Sequence, residues 1–293
     1  MEPRSDPRLE AAIRAVGAWR GRDVGVTPVS VGEDDRHFLI EADDELFVLR
    51  LATPSSGRRR FDTTGELEIA RAAACAGVAP EIVASLPQLG CLVTRFAGGR
   101  RLTPGDFDHD DVLASVVGSL RALHACPAPV VERSAFGEAR ELRRAALGHG
   151  VAMPQAEPAA TEALLAVEAS LGSDAQPLVA CHGDLTPASL FLVGEHVWIV
   201  DFRWAGAGDA FEDLGSLAAH FELGEHRTDA LLAMYFGSVT DASRNRLQRL
   251  LLAAQYLAAM RTLSRPSADP GRGRLEAQRR LDGIVSAVEA MSR

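Results

Sequence analysis

Two aspartates near the middle of the sequence have the spacing that phosphoryl transfer to a hydroxyl needs. Asp184 ends the tripeptide His182-Gly183-Asp184, and Asp201 follows two short apolar runs, Leu190–Val193 and His196–Val200. Apolar runs of this length between polar turns predict a loop, a strand, a turn and a second strand. A loop carboxylate can orient the attacking hydroxyl, and one after a strand can hold magnesium under the phosphates. The stretch therefore predicts Asp184 as the catalytic base and Asp201 as a metal ligand.

The first third of the chain predicts a small antiparallel sheet with two helices. Helical spacing of apolar residues covers Pro7–Arg20, and good helix formers cover Glu66–Ala76 up to the break at Gly77. Short β-rich runs separated by turn residues predict five strands, at Thr27–Val31, Arg36–Glu41, Glu45–Leu51, Ile82–Leu86 and Cys91–Phe96. A glycine-rich segment, 97–100, then separates a first lobe, residues 1–96, from a second lobe, residues 97–293.

The second lobe is predicted to be mostly helical, with the two-aspartate stretch set inside it. Its helical patterns are Asp110–His124, Gly137–Leu147, Pro158–Leu171, Phe211–Leu223, Thr228–Gly237, Ala242–Leu263 and Gly273–Met291. The fold class predicted for the whole chain is thus α+β, with a sheet-rich small lobe and a larger helical lobe.

Bulk composition excludes several classes of function. The formal net charge is −9, and a basic footprint for nucleic acid is missing. We find no signal peptide at the start and no apolar run long enough to span a membrane. The four cysteines contain no C-x-x-C pair, which indicates buried reduced thiols in a cytoplasmic protein. Because the chain contains no lysine, any cation that grips a phosphate must be an arginine.

Residues around the two aspartates carry a resemblance to a known family. Leu185 and Pro187 follow the His-Gly-Asp tripeptide, and Gly206–Gly208, Asp209 and Asp213-Leu214 follow Asp201. This pattern resembles the aminoglycoside phosphotransferase and choline/ethanolamine kinase superfamily, whose fold is protein-kinase-like and two-lobed. The resemblance covers almost the whole chain. It implies that His182 braces the loop and that Asp213 anchors it.

The resemblance also assigns residues to the nucleotide. It implies ATP as the phosphoryl donor and Mg²⁺ as its metal, with Arg50 of the third strand gripping the phosphates. Glu66 is the expected partner of Arg50, and Glu68 is the alternative. The segment of Val93, Thr94 and Phe96, up to residue 97, is expected to be the hinge that meets adenine.

Four positions depart from the family pattern. Ser189 stands where an asparagine metal ligand is usual, and its shorter side chain makes direct coordination of magnesium less favourable. Arg203 replaces a glutamate, and Ala210 replaces a proline. The turn 32–35 contains Glu33, Asp34 and Asp35 in place of a glycine-rich phosphate loop. A carboxylate about 6 Å from a phosphate charge costs roughly 3 kcal/mol, so we expect these acids to point outward.

Two interpretations of the departures stay open. In one, the chain is an ATP/Mg-dependent kinase of a small-molecule hydroxyl with one well-held magnesium, and Arg203 neutralises part of the phosphate charge. In the other, it is a pseudokinase that binds nucleotide weakly. The acceptor is expected to be an amino alcohol such as choline or ethanolamine, with an aminoglycoside as the alternative. Large-lobe aromatic residues that could recognise a cation, although they are expected to be core, are Trp204, Phe221, Tyr235, Phe236 and Tyr256.

Overall fold

The computed structural model describes residues 6–31, 35–52, 63–171, 176–264 and 270–291. Its helices are α1 (Pro7–Ala15), α2 (Thr63–Cys75), α3 (Asp110–His124), α4 (Ala135–Gly148), α5 (Glu157–Leu171), α6 (Ala210–His220), α7 (Glu225–Phe236), α8 (Asp241–Ser264) and α9 (Pro270–Met291). Its strands are β1 (Val24–Val31), β2 (Asp35–Ala42), β3 (Glu45–Ala52), β4 (Ile82–Leu86), β5 (Cys91–Arg95), β6 (Arg100–Arg101), β7 (Leu178–Cys181), β8 (Leu190–Val193), β9 (His196–Ile199) and β10 (Gly206–Asp209).

The first five strands form the predicted antiparallel sheet. Their order is β1-β2-β3-β5-β4, which confirms the meander of three strands followed by two more. β2 and β3 pair without a break and place His37 opposite Arg50. One face of the sheet packs with α1 in a core that includes Leu9, Phe47 and Trp19. This sheet therefore presents Arg50 from a strand that is hydrogen-bonded on both sides.

The predicted N-terminal helix is shorter than its apolar periodicity indicated. α1 ends at Ala15, because Val16 has extended backbone angles, φ −74° and ψ 108°. A single 3₁₀ turn, Gly17–Trp19, follows and turns Trp19 into the core against Phe47. The predicted extension of this helix to Arg20 was therefore wrong. The backbone leaves the helix at Val16, and the turn that follows buries the indole of Trp19.

A second and larger core belongs to the helices. α8 packs against α4, α5, α6 and α9, and its middle is buried. The buried face of α2, which includes Ile69 and Ala73, also belongs to this larger core although α2 precedes residue 96. The division into lobes at residue 96 stays a prediction.

Short strands frame the two-aspartate stretch inside the helical part. β8 and β9 form a hairpin that also pairs with β6, and β7 pairs with β10. These strands match the predicted apolar runs, except that Val200 lies beyond the end of β9. The chain therefore passes from β7 through the loop of Asp184 to the hairpin, and then through Asp201 to β10.

The four cysteines are free thiols in the structure. Cys91 and Cys181 are buried, whereas Cys75 is exposed, so the prediction of burial was wrong for that residue. In the described part of the chain, every helix is too short or too polar to span a lipid bilayer.

Candidate active site

The loop that carries Asp184 is held by a buried carboxylate on α6. Asp213, which is fully buried, accepts hydrogen bonds from the backbone N–H groups of His182 and Gly183, each at 2.7 Å. His124 donates a third hydrogen bond to it from Nε2, at 3.0 Å. Burial raises the pKa of Asp213, but these hydrogen bonds and the neighbouring histidines more than offset burial and lower the pKa to about 2. Asp213 is therefore the loop anchor that the resemblance implied.

Gly183 allows the loop to turn in a crowded place. Its φ is +84°, and a Cβ there would lie 2.4 Å from the carbonyl oxygen of Trp204 and 2.5 Å from Cζ of Arg133. Only glycine avoids both the left-handed strain and these contacts. The middle residue of the tripeptide is thus fixed by packing.

His182 connects the two aspartate-bearing segments through its imidazole. Nδ1 accepts a hydrogen bond from the backbone N–H of Asp184 at 3.2 Å, and Nε2 donates to the carbonyl oxygen of Val200 at 3.0 Å. These two partners require the neutral tautomer with the proton on Nε2. Since Val200 directly precedes Asp201, one buried ring sets the spacing of both segments, and His182 is the brace that the sequence predicted.

The Asp184 carboxylate faces a small cavity and is paired with one arginine. Oδ1 forms an ion pair with the guanidinium of Arg261 and lies 3.9 Å from Nε2 of His220. Arg261 also donates to Glu138 at 2.8 Å, and its Cζ lies 3.9 Å from the ring centroid of Trp204. The cavity is lined by Asp184, Gly183, His220 and Arg261, so a group that enters it meets the Asp184 carboxylate beside the Arg261 guanidinium.

A second buried arginine lines the same cavity and was missed from the sequence. Arg133 donates to Glu212 at 2.8 Å, to Glu138 at 3.2 Å and to the carbonyl oxygen of Gly183 at 3.3 Å. Burial raises the pKa of Glu212 to about 7 in spite of the Arg133 charge. Arg133 lies in an irregular segment between α3 and α4, where no periodicity or motif singles out one residue.

Arg50 joins the sheet to Asp201. Its guanidinium forms an ion pair with Glu66 of α2 and lies 3.3 Å from Oδ1 of Asp201 and 3.8 Å from Oδ2 of Asp35. Arg50 is 5% exposed. The expected partner is therefore Glu66, whereas Glu68 is exposed on another side of α2. The structure brings Arg50, Glu66 and Asp201 together, as the sequence predicted.

Asp201 is paired more closely with Arg203 than with Arg50. Nε and Nη2 of Arg203 donate to Oδ1 and Oδ2 of Asp201, both at 2.7 Å, and Nη1 lies 3.3 Å from Oδ2 of Asp35. The backbone of Asp201 is left-handed, with φ 70°, which allows this short-range contact. Burial raises the pKa of Asp201, but the charges of Arg203 and Arg50 more than offset it and lower the pKa well below its usual range.

The expectation that the acids of the 32–35 turn point outward was wrong for Asp35. Its side chain is buried and ion-paired with Arg50 and Arg203, because two guanidinium groups offset the cost of burying one carboxylate. Glu33 and Asp34 lie outside the described residues.

The residues predicted to hold magnesium do not fit that ion in this arrangement. Both Asp201 oxygens already accept hydrogen bonds from Arg203. The Ser189 hydroxyl donates to the carbonyl oxygen of Thr186 and accepts from its N–H, both at 2.9 Å, and is 2% exposed. Ser189 therefore braces a turn, and its role as a metal ligand stays a prediction. Among the described residues, only His124, Cys181 and Asp213 form a group of metal-ligating atoms, and Asp213 anchors the loop there.

A family model described as "Phosphotransferase enzyme family" matches residues 25–250, which is most of the chain. The chain belongs to this phosphotransferase enzyme family. A search of curated proteins gave no match.

Solved structures of similar fold include members with two kinds of acceptor. A choline/ethanolamine kinase family protein from Mesorhizobium loti is 22% identical, with a TM-score of 0.78 over 96% of this chain and 98% of that chain. The choline kinase LicA from Streptococcus pneumoniae is 12% identical, with a TM-score of 0.75 over 95% and 99%. A thermostable mutant of the aminoglycoside phosphotransferase APH(4)-Ia, crystallised with AMP-PNP and hygromycin B, is 16% identical, with a TM-score of 0.68 over 95% and 97%. At these identities the likeness shows the protein-kinase-like fold.

The residues predicted to meet adenine occupy different environments in this phosphotransferase family member. Val93 is fully buried in the core of the sheet, so its side chain does not line a nucleotide cleft. Thr94 is partly buried on the same strand, and Phe96 is 43% exposed just past the end of β5. The backbone N–H of Phe96 donates to the carbonyl oxygen of Leu46 at 2.9 Å. Contact of this segment with adenine stays a prediction.

Four of the five candidate aromatic residues are structural. Phe221 packs against Phe107, Tyr235 against His124, and Phe236 against Phe211, while the Tyr256 hydroxyl lies 2.7 Å from that of Thr161. Trp204 differs, because Arg261 of the Asp184 cavity lies over its ring. A guanidinium from the chain itself therefore covers the aromatic face that lies beside this cavity.

Proposed function

We propose that this phosphotransferase family member transfers the γ-phosphoryl group of a nucleoside triphosphate, expected to be ATP, to a hydroxyl of a small molecule. The observation that carries the proposal is the His182 brace. It joins the loop of Asp184, which faces a cavity, to the segment of Asp201, which adjoins the Arg50–Glu66 pair. This arrangement supports a hydroxyl site and a phosphate site on either side of one imidazole.

In the proposed reaction, Asp184 orients the acceptor hydroxyl and takes its proton. The acceptor oxygen forms a bond to the γ-phosphorus while the bond from that phosphorus to the β,γ-bridging oxygen breaks, which releases a nucleoside diphosphate. Arg50, held by Glu66, would neutralise charge on the phosphates. The sequence predicted Mg²⁺ as well, but Asp201 and Ser189 are bound to other groups, so the proposed role of these residues contains no metal step.

For the acceptor, we propose an amino alcohol such as choline or ethanolamine. The similarity to choline and ethanolamine kinase structures supports this class, and so does Glu212, an acid that lines the cavity. The Arg261 guanidinium over Trp204 favours the smaller primary amine, because a trimethylammonium group would have to displace it from the ring. An aminoglycoside is the alternative acceptor. A turnover panel of choline, ethanolamine and hygromycin B separates the classes.

Asp184→Asn tests the proposal. We expect turnover to fall by about 10²- to 10⁴-fold, because the hydroxyl loses its base, while the ATP affinity changes little. Asp229→Asn is the matched control, since Asp229 pairs with Arg244 on the surface between α7 and α8. Unchanged turnover in Asp184→Asn would refute the assignment of Asp184 as the catalytic base.

A pseudokinase is the second candidate, and a specific observation favours it. Both aspartates are paired with arginines of the same chain, Asp184 with Arg261 and Asp201 with Arg203. A thermal-shift titration with ATP and the acceptor panel separates the candidates. Stabilisation by ATP without turnover on any acceptor would favour the pseudokinase, and turnover would exclude it.

A further inference from the structure

We infer that Arg203 takes the place of a divalent cation on Asp201, and that Asp35 holds the guanidinium there. The free protein then excludes metal from this carboxylate. The inference rests on the proposed function only in taking Asp201 as the acid that faces the nucleotide phosphates.

The first argument is the geometry of the guanidinium. Nε and Nη2 of Arg203 each donate to a different oxygen of Asp201 at 2.7 Å. This fork is the strongest geometry that an arginine and a carboxylate adopt, and it engages both oxygens that a cation would bind. A divalent ion and Arg203 are therefore alternative occupants of Asp201.

The second argument is that the remaining nitrogen of the Arg203 guanidinium contacts an acid from a distant part of the chain. Nη1 of Arg203 lies 3.3 Å from Oδ2 of Asp35, which begins β2 in the first sheet. Arg203 itself lies in the 3₁₀ turn Phe202–Trp204, just beyond Asp201. All three nitrogens of one guanidinium are thus close to carboxylate oxygens from two distant parts of the chain. The contact between Asp35 and Arg203 therefore explains two departures from the family pattern. These are the acid in the 32–35 turn and the arginine after Asp201.

The third argument is charge. Asp35 and Asp201 carry two negative charges, and Arg50 and Arg203, which contact both of them, carry two positive charges. With Glu66, which is ion-paired to Arg50, the cluster has three carboxylates and two guanidinium groups, so one negative charge remains in place of the three that the acids would carry alone. A divalent cation that approached Asp201 would meet two guanidinium groups in a largely buried place, where repulsion is weakly screened.

The same contacts imply a latent metal site. If the Arg203 charge is removed, the carboxylates of Asp35 and Asp201 remain around the place that one guanidinium filled. Carboxylate oxygens are the ligands that hard divalent cations such as Mg²⁺ and Mn²⁺ prefer, and both of these acids contact the same guanidinium. Arg203 therefore decides whether this pair of acids binds metal.

Mn²⁺ alone, without nucleotide or acceptor, is the probe. Binding is followed by the loss of the free-ion electron paramagnetic resonance signal as protein is added. We expect Arg203→Gln to bind Mn²⁺ at least about tenfold more tightly than the unchanged protein. The double variant Arg203→Gln/Asp201→Asn is expected to lose this gain, because the latent site needs the Asp201 carboxylate.

Arg246→Gln is the matched control, since Arg246 is a part-buried arginine that donates from two nitrogens to Asp209, outside this cluster. Its Mn²⁺ affinity is expected to stay unchanged. Circular dichroism and thermal midpoints establish that each variant is folded. If Arg203→Gln does not fold, Arg203→Met, which removes the same charge and keeps both carboxylates, is expected to show the same gain.

Equal Mn²⁺ affinity of Arg203→Gln and the unchanged protein would overturn the inference, and so would a gain that survives Asp201→Asn. Because the titration contains no nucleotide, its outcome is independent of turnover. Failure of the Asp184 test would leave this inference standing, and the reverse also holds.

Discussion

Gly215→Ala tests whether the packing of α6 against α8 sets the position of the loop that carries Asp184. A Cβ at Gly215 would lie 2.7 Å from the carbonyl carbon of Leu250 and 2.8 Å from the backbone nitrogen of Leu251. Both atoms belong to the backbone of α8, so a side-chain rotation cannot relieve the contact. The two helices would have to separate by about 0.7 Å to restore ordinary van der Waals distances.

The expected loss of stability is about 2 kcal/mol. Overpacking of this kind costs about 1 to 3 kcal/mol, and backbone contact on a buried helix pair places it in the upper part of that range. The better helix propensity of alanine returns roughly 1 kcal/mol. Urea denaturation measures the difference, with an unchanged slope as evidence that the unfolded state is the same.

Activity should fall together with stability. Asp213 and Ser216 flank Gly215 on α6, and Ser216 Oγ accepts a hydrogen bond from the N–H of Leu185 at 3.1 Å. A shift of α6 therefore moves the loop of Asp184, and displacement of a reacting group on this scale costs roughly tenfold or more in rate.

Gly118→Ala is the control, because Gly118 is an exposed helical residue of α3 with no atom within 4 Å of its added Cβ. We expect it to gain about 0.5 to 1 kcal/mol from propensity alone. If Gly215→Ala were as stable as Gly118→Ala, the close approach of α6 and α8 would not be a constraint and the argument would fail.

Two further predictions concern the carboxylates that position the site. The folded-state pKa of Asp213 is about 2, below its usual 3.8, so its contribution to stability is full above that usual value and is lost as pH falls toward 2. The stability deficit of Asp213→Asn in urea denaturation should therefore narrow by about 2 kcal/mol between roughly pH 6 and pH 2, and a constant deficit would contradict the assignment. Glu66→Gln should weaken ATP binding by roughly tenfold in calorimetric titration, because Arg50 loses a charged partner, whereas Glu68→Gln should not. Equal losses of ATP affinity in both variants would show that Glu66 does not hold Arg50 in position for the phosphates.

Sequence patterns predicted the positions of strands and helices well. The apolar runs Leu190–Val193 and His196–Val200 became β8 and β9, and the β-rich run 45–51 became β3 with Arg50 on it. Such patterns follow from the periodicity of strands and helices, which depends on residues close in sequence. The pairing of Arg50 with Glu66 was also predicted, but from the family resemblance.

The same reasoning failed where a side chain had a choice of partners. Ser189 stands where the family has an asparagine metal ligand, and the sequence did not indicate that its short hydroxyl reaches the backbone of Thr186 three residues away. Asp35 was expected to face solvent, but Arg50 and Arg203 bury it. Arg133 and Arg261 gave no signal at all, because their places beside Asp184 depend on how α4, α6 and α8 pack.

The sequence by itself therefore determined the family, the order of the strands and helices, and the two aspartates that the site is built on. These properties depend on residue type and local spacing. Only the tertiary structure decided that Asp184 is paired with Arg261 and that Asp35 lies beside Asp201 and its arginines. Arg261 comes to Asp184 from α8, and Asp35 comes to Arg203 from β2. Such contacts between distant segments are set by the packing of two cores, which no local pattern records.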